Sequence, residues 1–168
     1  MKRAARHSSH ARQASSASHA LLLQMLDEGY ERKTWHGPNL RGSLHGVSAK
    51  DAAWRPGRGR HNIWEEAVHA AYWKYAVRRK IEGGKPGGFA QRGSNFFARP
   101  EGKPGEAAWR RDRKLLEREH RKLRAAVAKL GRRELNPANV RQILGVAFHD
   151  VYHAGQIRLL RRLRGIPR

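Results

Sequence analysis

"GVAFHDVYHAGQIRLL", residues 145–160, decides how this chain is read. Val146, His149, His153, Ile157 and Leu160 recur at steps of three and four, the step of one face of an α-helix. Ile143 extends the stripe upstream. Asn136-Pro137 precedes the helix, Asn139 is its expected cap, and it runs to about Leu163, with Gly165 and Pro167 ending it. His149 and His153 are one turn apart and leave the same buried face. An unsatisfied buried polar group costs on the order of 1–3 kcal/mol. Two histidines there need either hydrogen bonds to neighbouring helices or a metal ion held by the pair.

Three more helices follow from the same periodicity. The first runs from about Ser18 to Thr34, with Leu22, Met25, Leu26, Gly29 and Tyr30 as its stripe. The second spans about Asn62 to Glu82. Asn62 suits its N-cap, Glu65 and Glu66 suit the positive end of its dipole, and Arg78, Arg79 and Lys80 suit the other end. The third spans about Glu106 to Leu130, with Trp109, Leu116, His120, Leu123, Val127 and Leu130 in line. "WHGPNLRGSLHGV" reads as a loop, and Ser48 caps a short turn, "AKDAAW", with Asp51 in the capping-box position. The connection from Gly83 to Gly105 is Gly- and Pro-rich and unusually long for a domain interior, as lids and binding loops are. Phe89, Phe96 and Phe97 give it apolar contacts to offer a pocket mouth. No strand pattern appears. The expected fold is all-α, an antiparallel four-helix bundle over residues 19–168.

Residues 1–18 carry Ser, Ala, Arg and His but no acid and little to bury, and read as a disordered basic tail. The 168 residues suit one domain with a real core. The absence of cysteine excludes disulfides, thiolate metal sites and a cysteine nucleophile, and the expected location is cytoplasmic. The longest apolar runs, as at Ala20–Leu23, are four residues, far short of a membrane span. A net charge of +22 raises nucleic acid as a partner. The cations are scattered, however, and no helix-turn-helix, RNP motif or zinc finger is present, so no specific nucleic acid is expected.

A third ligand would favour the metal. His69 lies mid-helix in the second helix, on the stripe set by Tyr72 and Ala76 with Trp73 beside it, level with the middle of the last helix. Four residues are weighed around these three histidines. Glu65, one turn before His69, serves as a base, an outer acceptor or a cap. His120 is a supporting group or a satisfied core histidine. Asp150 sits about 100° round from His149 and is a solvent residue, a helix–helix contact or an outer acceptor. Gln156 lies nearer the site's face and bonds either there or to a loop.

"WHGPNLRGSL", "AAWRPGRGRHNIWEEAVHAAYWK" and "GVAFHDVYHAGQIRLL" together resemble the DinB-like (DinB/YfiT) superfamily of metal-dependent enzymes, over about Ala20 to Leu163. The resemblance implies an up-down-down-up four-helix bundle with a three-histidine metal site. Carried over, the ligands are His69, His149 and His153, the ion zinc or nickel, and the assembly a homodimer. It also implies transferase chemistry in which the metal binds a low-molecular-weight thiol, of bacillithiol or mycothiol type, and presents the thiolate to an electrophilic small molecule. A hydrolase or isomerase in the same pocket is the alternative within the fold. A basic nucleic-acid-associated protein with a structural metal is the alternative outside it.

Overall fold

The structure is a computed structural model and describes residues 17–84, 88–93, 95–131 and 135–167. Most of the expected basic tail, residues 1–16, lies outside the described residues; residues 17 and 18 already belong to the first helix. Six helices form, with no strand among the described residues: α1 over residues 17–30, α2 Leu40–Ser43, α3 Ala49–Ala53, α4 Ile63–Ile81, α5 Glu106–Ala128 and α6 Pro137–Arg164. The protein is all-α, as expected. No helix among the described residues is long and apolar enough to cross a membrane.

Local chemistry sets the boundaries. Asn62 accepts from the Glu65 N–H and Glu65 returns the bond to the Asn62 N–H, a complete capping box. Asn136, not the expected Asn139, caps α6: its side chain accepts from the Asn139 N–H at 2.9 Å, and Pro137 fills the first helical position where no N–H is needed. Gly165, at φ 77°, ends α6 in the left-handed conformation that a side chain would disfavour. The stretch read as a loop after Trp35 contains α2, capped by Asn39. α1 stops at residue 30, short of Thr34.

Two apolar clusters fill the interior. One gathers Leu40, Trp64, Val68, Trp109, Leu116, Ile157 and Leu160; the other gathers Leu22, Leu26, Val77, Leu123, Val127, Ile143 and Val146. α4 and α5 pass from the first cluster to the second, while α6 passes from the second to the first. α4 and α5 are packed neighbours that run the same way. Their connection must return along the helix length, which accounts for the long segment between them. Arg161 of α6, buried, donates to the Ser43 and His45 carbonyls and ties α6 to the end of α2.

Between the two clusters lies a charged layer. Lys74 of α4 and Asp150 of α6 form a fully buried ion pair, and the Lys74 ammonium also donates to His120 Nδ1 of α5 at 3.3 Å. His120 stacks on Tyr30 of α1, with ring centroids 3.9 Å apart. Asp150 is thus a helix–helix contact, and His120 is a core histidine paired to Lys74. Burial pushes the Lys74 amine down and the Asp150 carboxyl up, and each partner opposes the shift in the other. Removing one buried partner strands the other. Asp150→Ala should cost about 3–5 kcal/mol and lower Tm by roughly 10–15 °C. The double variant Lys74→Met/Asp150→Leu should recover most of that, because no charge is left buried. A thermal melt of Asp150→Ala within a degree or two of the unsubstituted protein would show that the pair holds nothing together.

Candidate metal centre

α4 and α6 face each other across a cavity of about 500 Å³. His69 enters from α4; His149 and His153 enter from successive turns of α6. His149 Nε2 lies 3.1 Å from His69 Nε2 and 3.0 Å from His153 Nε2. One nitrogen from each ring falls within 4.8 Å of the others.

The outer ring nitrogens explain why the inner ones point together. His69 Nδ1 donates to the Asn95 carbonyl at 3.0 Å. His153 Nδ1 donates to the Glu66 carboxylate, and both side chains are buried. With those protons held on Nδ1, the Nε2 atoms of His69 and His153 are bare lone pairs. His149 Nε2 stands between them, and one proton on it serves only one neighbour. His149 Nδ1 is itself buried with no hydrogen-bond partner among the described residues. One inner nitrogen lone pair is therefore left facing another ring nitrogen with no proton between them, and the donor set fits a divalent metal of the kind that takes neutral imidazole.

Burial lowers the proton affinity of the cluster. It pushes His69 down to about 4, against the pull of the Asn95 carbonyl, and His149 down to about 3, helped by the neighbouring His153 and His69. Both imidazoles are neutral near pH 7 and free to ligate.

The segment between α4 and α5 completes the wall. Phe96 stacks face to face on His69 at 3.8 Å and on His61 at 3.7 Å. Asn95 sits at φ 66°, a left-handed position that Asn tolerates, and its side-chain oxygen accepts from Trp73 Nε1 at 3.1 Å. Phe89 and Phe97 pack with Tyr72 behind it. The expectation that this long connection shapes the pocket agrees with these contacts.

The remaining expected residues divide. Gln156 lines the cavity and makes no loop hydrogen bond among the described residues. Asp150 and His120 belong to the charged layer, away from the converging nitrogens. Glu65 is drawn into the cap instead of the site: it accepts from Arg55, from His61 Nδ1 at 3.1 Å and from the Arg99 N–H at 3.2 Å. Burial alone would raise its carboxyl, but these bonds hold it below the usual range. The carboxylate that serves the histidines is Glu66, which the sequence offered only as a dipole-favoured acid. It lies three residues before His69, but Glu65 at four residues lies as near that helical face, so spacing alone does not choose between them. The stripe drawn through Tyr72 and Ala76 is the half-exposed edge of α4. Residues 63–71 are buried without a break, because α3, α5 and α6 all pack on that helix.

No curated protein and no solved structure matches the chain. A family model does, over residues 32–157, a span that takes in α2 to α5, the long connection and all three converging histidines. The chain belongs to the DinB superfamily.

Proposed function

We propose that His69, His149 and His153 hold one divalent ion, zinc or nickel, and that the protein is a metal-dependent transferase acting with a low-molecular-weight thiol. The observation that carries this reading is the pair of outer hydrogen bonds that leaves the inner nitrogens of His69 and His153 as lone pairs directed at His149 Nε2. Three neutral protein ligands leave coordination positions for an exogenous group, which suits a catalytic site better than a closed structural one. When bound, the ion would supply Lewis acidity and lower the pKa of a thiol brought to it. The rest is the work of the chain. Glu66 holds the proton on His153 Nδ1, and the Asn95 carbonyl holds the proton on His69 Nδ1, so neither ring turns over. Phe96, Leu159 and Leu160 give the cavity apolar walls, and Tyr152 and Gln156 offer polar groups to a substrate. With no cysteine in the chain, the nucleophile on this reading comes with the substrate. The helices are taken as a four-helix bundle in up-down-down-up order, of which the direction of α4, α5 and α6 through the two clusters is one part.

The test is a screen of metal-loaded protein for conjugation of bacillithiol, mycothiol and simpler thiols to electrophiles. Turnover should appear with at least one thiol and fall at least a hundredfold in His149→Ala. Hydrolysis of the same electrophiles without thiol would assign the pocket to a hydrolase of this fold instead.

A further inference from the structure

Within residues 110–122 of α5 the carboxylates turn inward and the exposed side chains are cations. Residues 110–122 read "RRDRKLLEREHRK". Asp112 and Glu119 are buried and Glu117 is half-buried, whereas Arg110, Arg111, Arg113, Lys114, Arg118, Arg121 and Lys122 are all exposed. Asp112 is occupied by Trp64 Nε1 at 2.7 Å and Arg99 at 3.3 Å. Glu117 and Glu119 answer Arg121, Arg118 and Lys122 in the second half of the stripe. The first half presents four cations and no outward acid.

That half also walls a concavity. Arg110, Arg113 and Lys114 border a cleft of about 240 Å³ floored by Tyr30 and Leu116; its other charged walls are already paired, Glu117 with Arg121 and Arg41 of α2 with Glu31 at 2.8 Å. A solvated charge run keeps its members apart in water; here Arg110, Arg113 and Lys114, which have no carboxylate partner among the described residues, border one hollow. The unanswered half, residues 110–114, is about 6 Å long at 1.5 Å per residue, a length over which duplex nucleic acid carries about three to four phosphates. α5 is packed on α4, so it offers one side only, and that side carries Arg and Lys, the usual partners of phosphate oxygens. The shared chemistry of any partner is therefore its phosphate backbone.

We propose that the outward face of the first half of α5, carrying Arg110, Arg111, Arg113 and Lys114, is a sequence-independent docking surface for the phosphate backbone of nucleic acid. It faces away from α4, and so away from the histidine cavity, and stands independently of the reading of that cavity.

The test must separate a built surface from the generic attraction of a +22 chain. The full chain is titrated by fluorescence anisotropy with a short labelled DNA duplex and its RNA counterpart between about 50 and 200 mM salt. One variant carries Arg110→Gln, Arg111→Gln, Arg113→Gln and Lys114→Gln. A second, of equal net charge, carries Arg58→Gln, Lys80→Gln, Arg141→Gln and Arg162→Gln, all exposed elsewhere. The first should bind at least tenfold more weakly, with a salt slope smaller by about three to four. The second should change less than threefold. Arg110→Glu/Lys114→Glu should reproduce the loss by a separate route, should the fourfold variant be unstable. Loss on both duplexes supports the proposal with either nucleic acid as the source; loss on one alone supports it and names the source. Equal weakening in the two fourfold variants overturns it, as does no weakening in the first. Stripe-dependent binding to vesicles of phosphatidylglycerol and phosphatidylcholine that is tighter than to either duplex overturns it in favour of a membrane surface.

Discussion

Replacing His153 with Ala is expected to strip the purified protein of its metal. The unsubstituted chain should carry close to one zinc or nickel per molecule by elemental analysis after dialysis, and His153→Ala at most about a tenth of that. The size follows from the geometry. His153 and His149 are a one-turn chelate on α6, and His153 alone joins the inner cluster to a buried carboxylate. Glu66→Gln should fall between the two. It keeps the shape but loses the charge behind His153, and outer partners of this kind are worth roughly 10–100-fold in metal affinity. Glu65→Gln is the control: the same chemical change one residue earlier, at a carboxylate committed to the α4 cap and Arg55. It should leave metal affinity unchanged and lower Tm. Equal metal in His153→Ala and the unsubstituted protein would sink the site, and equal losses in the two Glu variants would sink the role given to Glu66.

The metal-free protein should come apart in mild acid. His69, His149 and His120 sit in places where burial depresses their proton affinity to about 4, 3 and 2, while in the unfolded chain each titrates near the ordinary 6.5. As pH falls below that value the unfolded state takes up protons that the folded state refuses. Stability is therefore fully present above about pH 6.5 and is lost as pH falls towards the folded values. At pH 5 each of the three contributes a loss of up to about 2 kcal/mol, against a total stability of about 5–15 kcal/mol for a domain. Urea unfolding of chelator-treated protein at pH 7, 6 and 5 measures this directly. The slope between pH 6 and 5 should correspond to between two and three protons. A slope below one proton would mean that the folded protein accommodates charged imidazoles there. Metal-loaded protein should resist to lower pH, because the ion binds only the folded arrangement.

Much of the architecture could be read from the chain before any coordinates. The helix start at Asn62, the stop at Gly165, and the helical phase of His149 and His153 are local signals, and local signals survive folding, although the cap of α6 is Asn136 and not the expected Asn139. What could not be read is what depends on packing. Residues 63–71 are buried all round, so α4 has no amphipathic phase to say whether Glu65 or Glu66 looks towards α6, and a one-residue difference turns the side chain by about 100°. Nor can sequence single out Lys74 and Asp150 from so many charged residues. Their pairing spans α4 and α6, and each looks ordinary until the other is placed against it. The reason for the long connection after α4, two neighbouring helices running the same way, is likewise absent from the periodicity and is offered only by the family resemblance.

The atom that fixes the tautomer of His69 is a peptide oxygen, that of Asn95. An alanine scan removes side chains and leaves such an oxygen in place, so at position 95 it will report the lost left-handed preference and the lost bond to Trp73 Nε1 rather than the carbonyl itself. Asn95→Gly would keep the carbonyl in place, since glycine adopts the same left-handed turn. A β-branched residue would not: valine there strains the backbone at φ 66° and swings the carbonyl away from the imidazole. The tolerance pattern at this position should therefore sort by backbone preference rather than by polarity or size, the mark of a functional contribution made by the main chain.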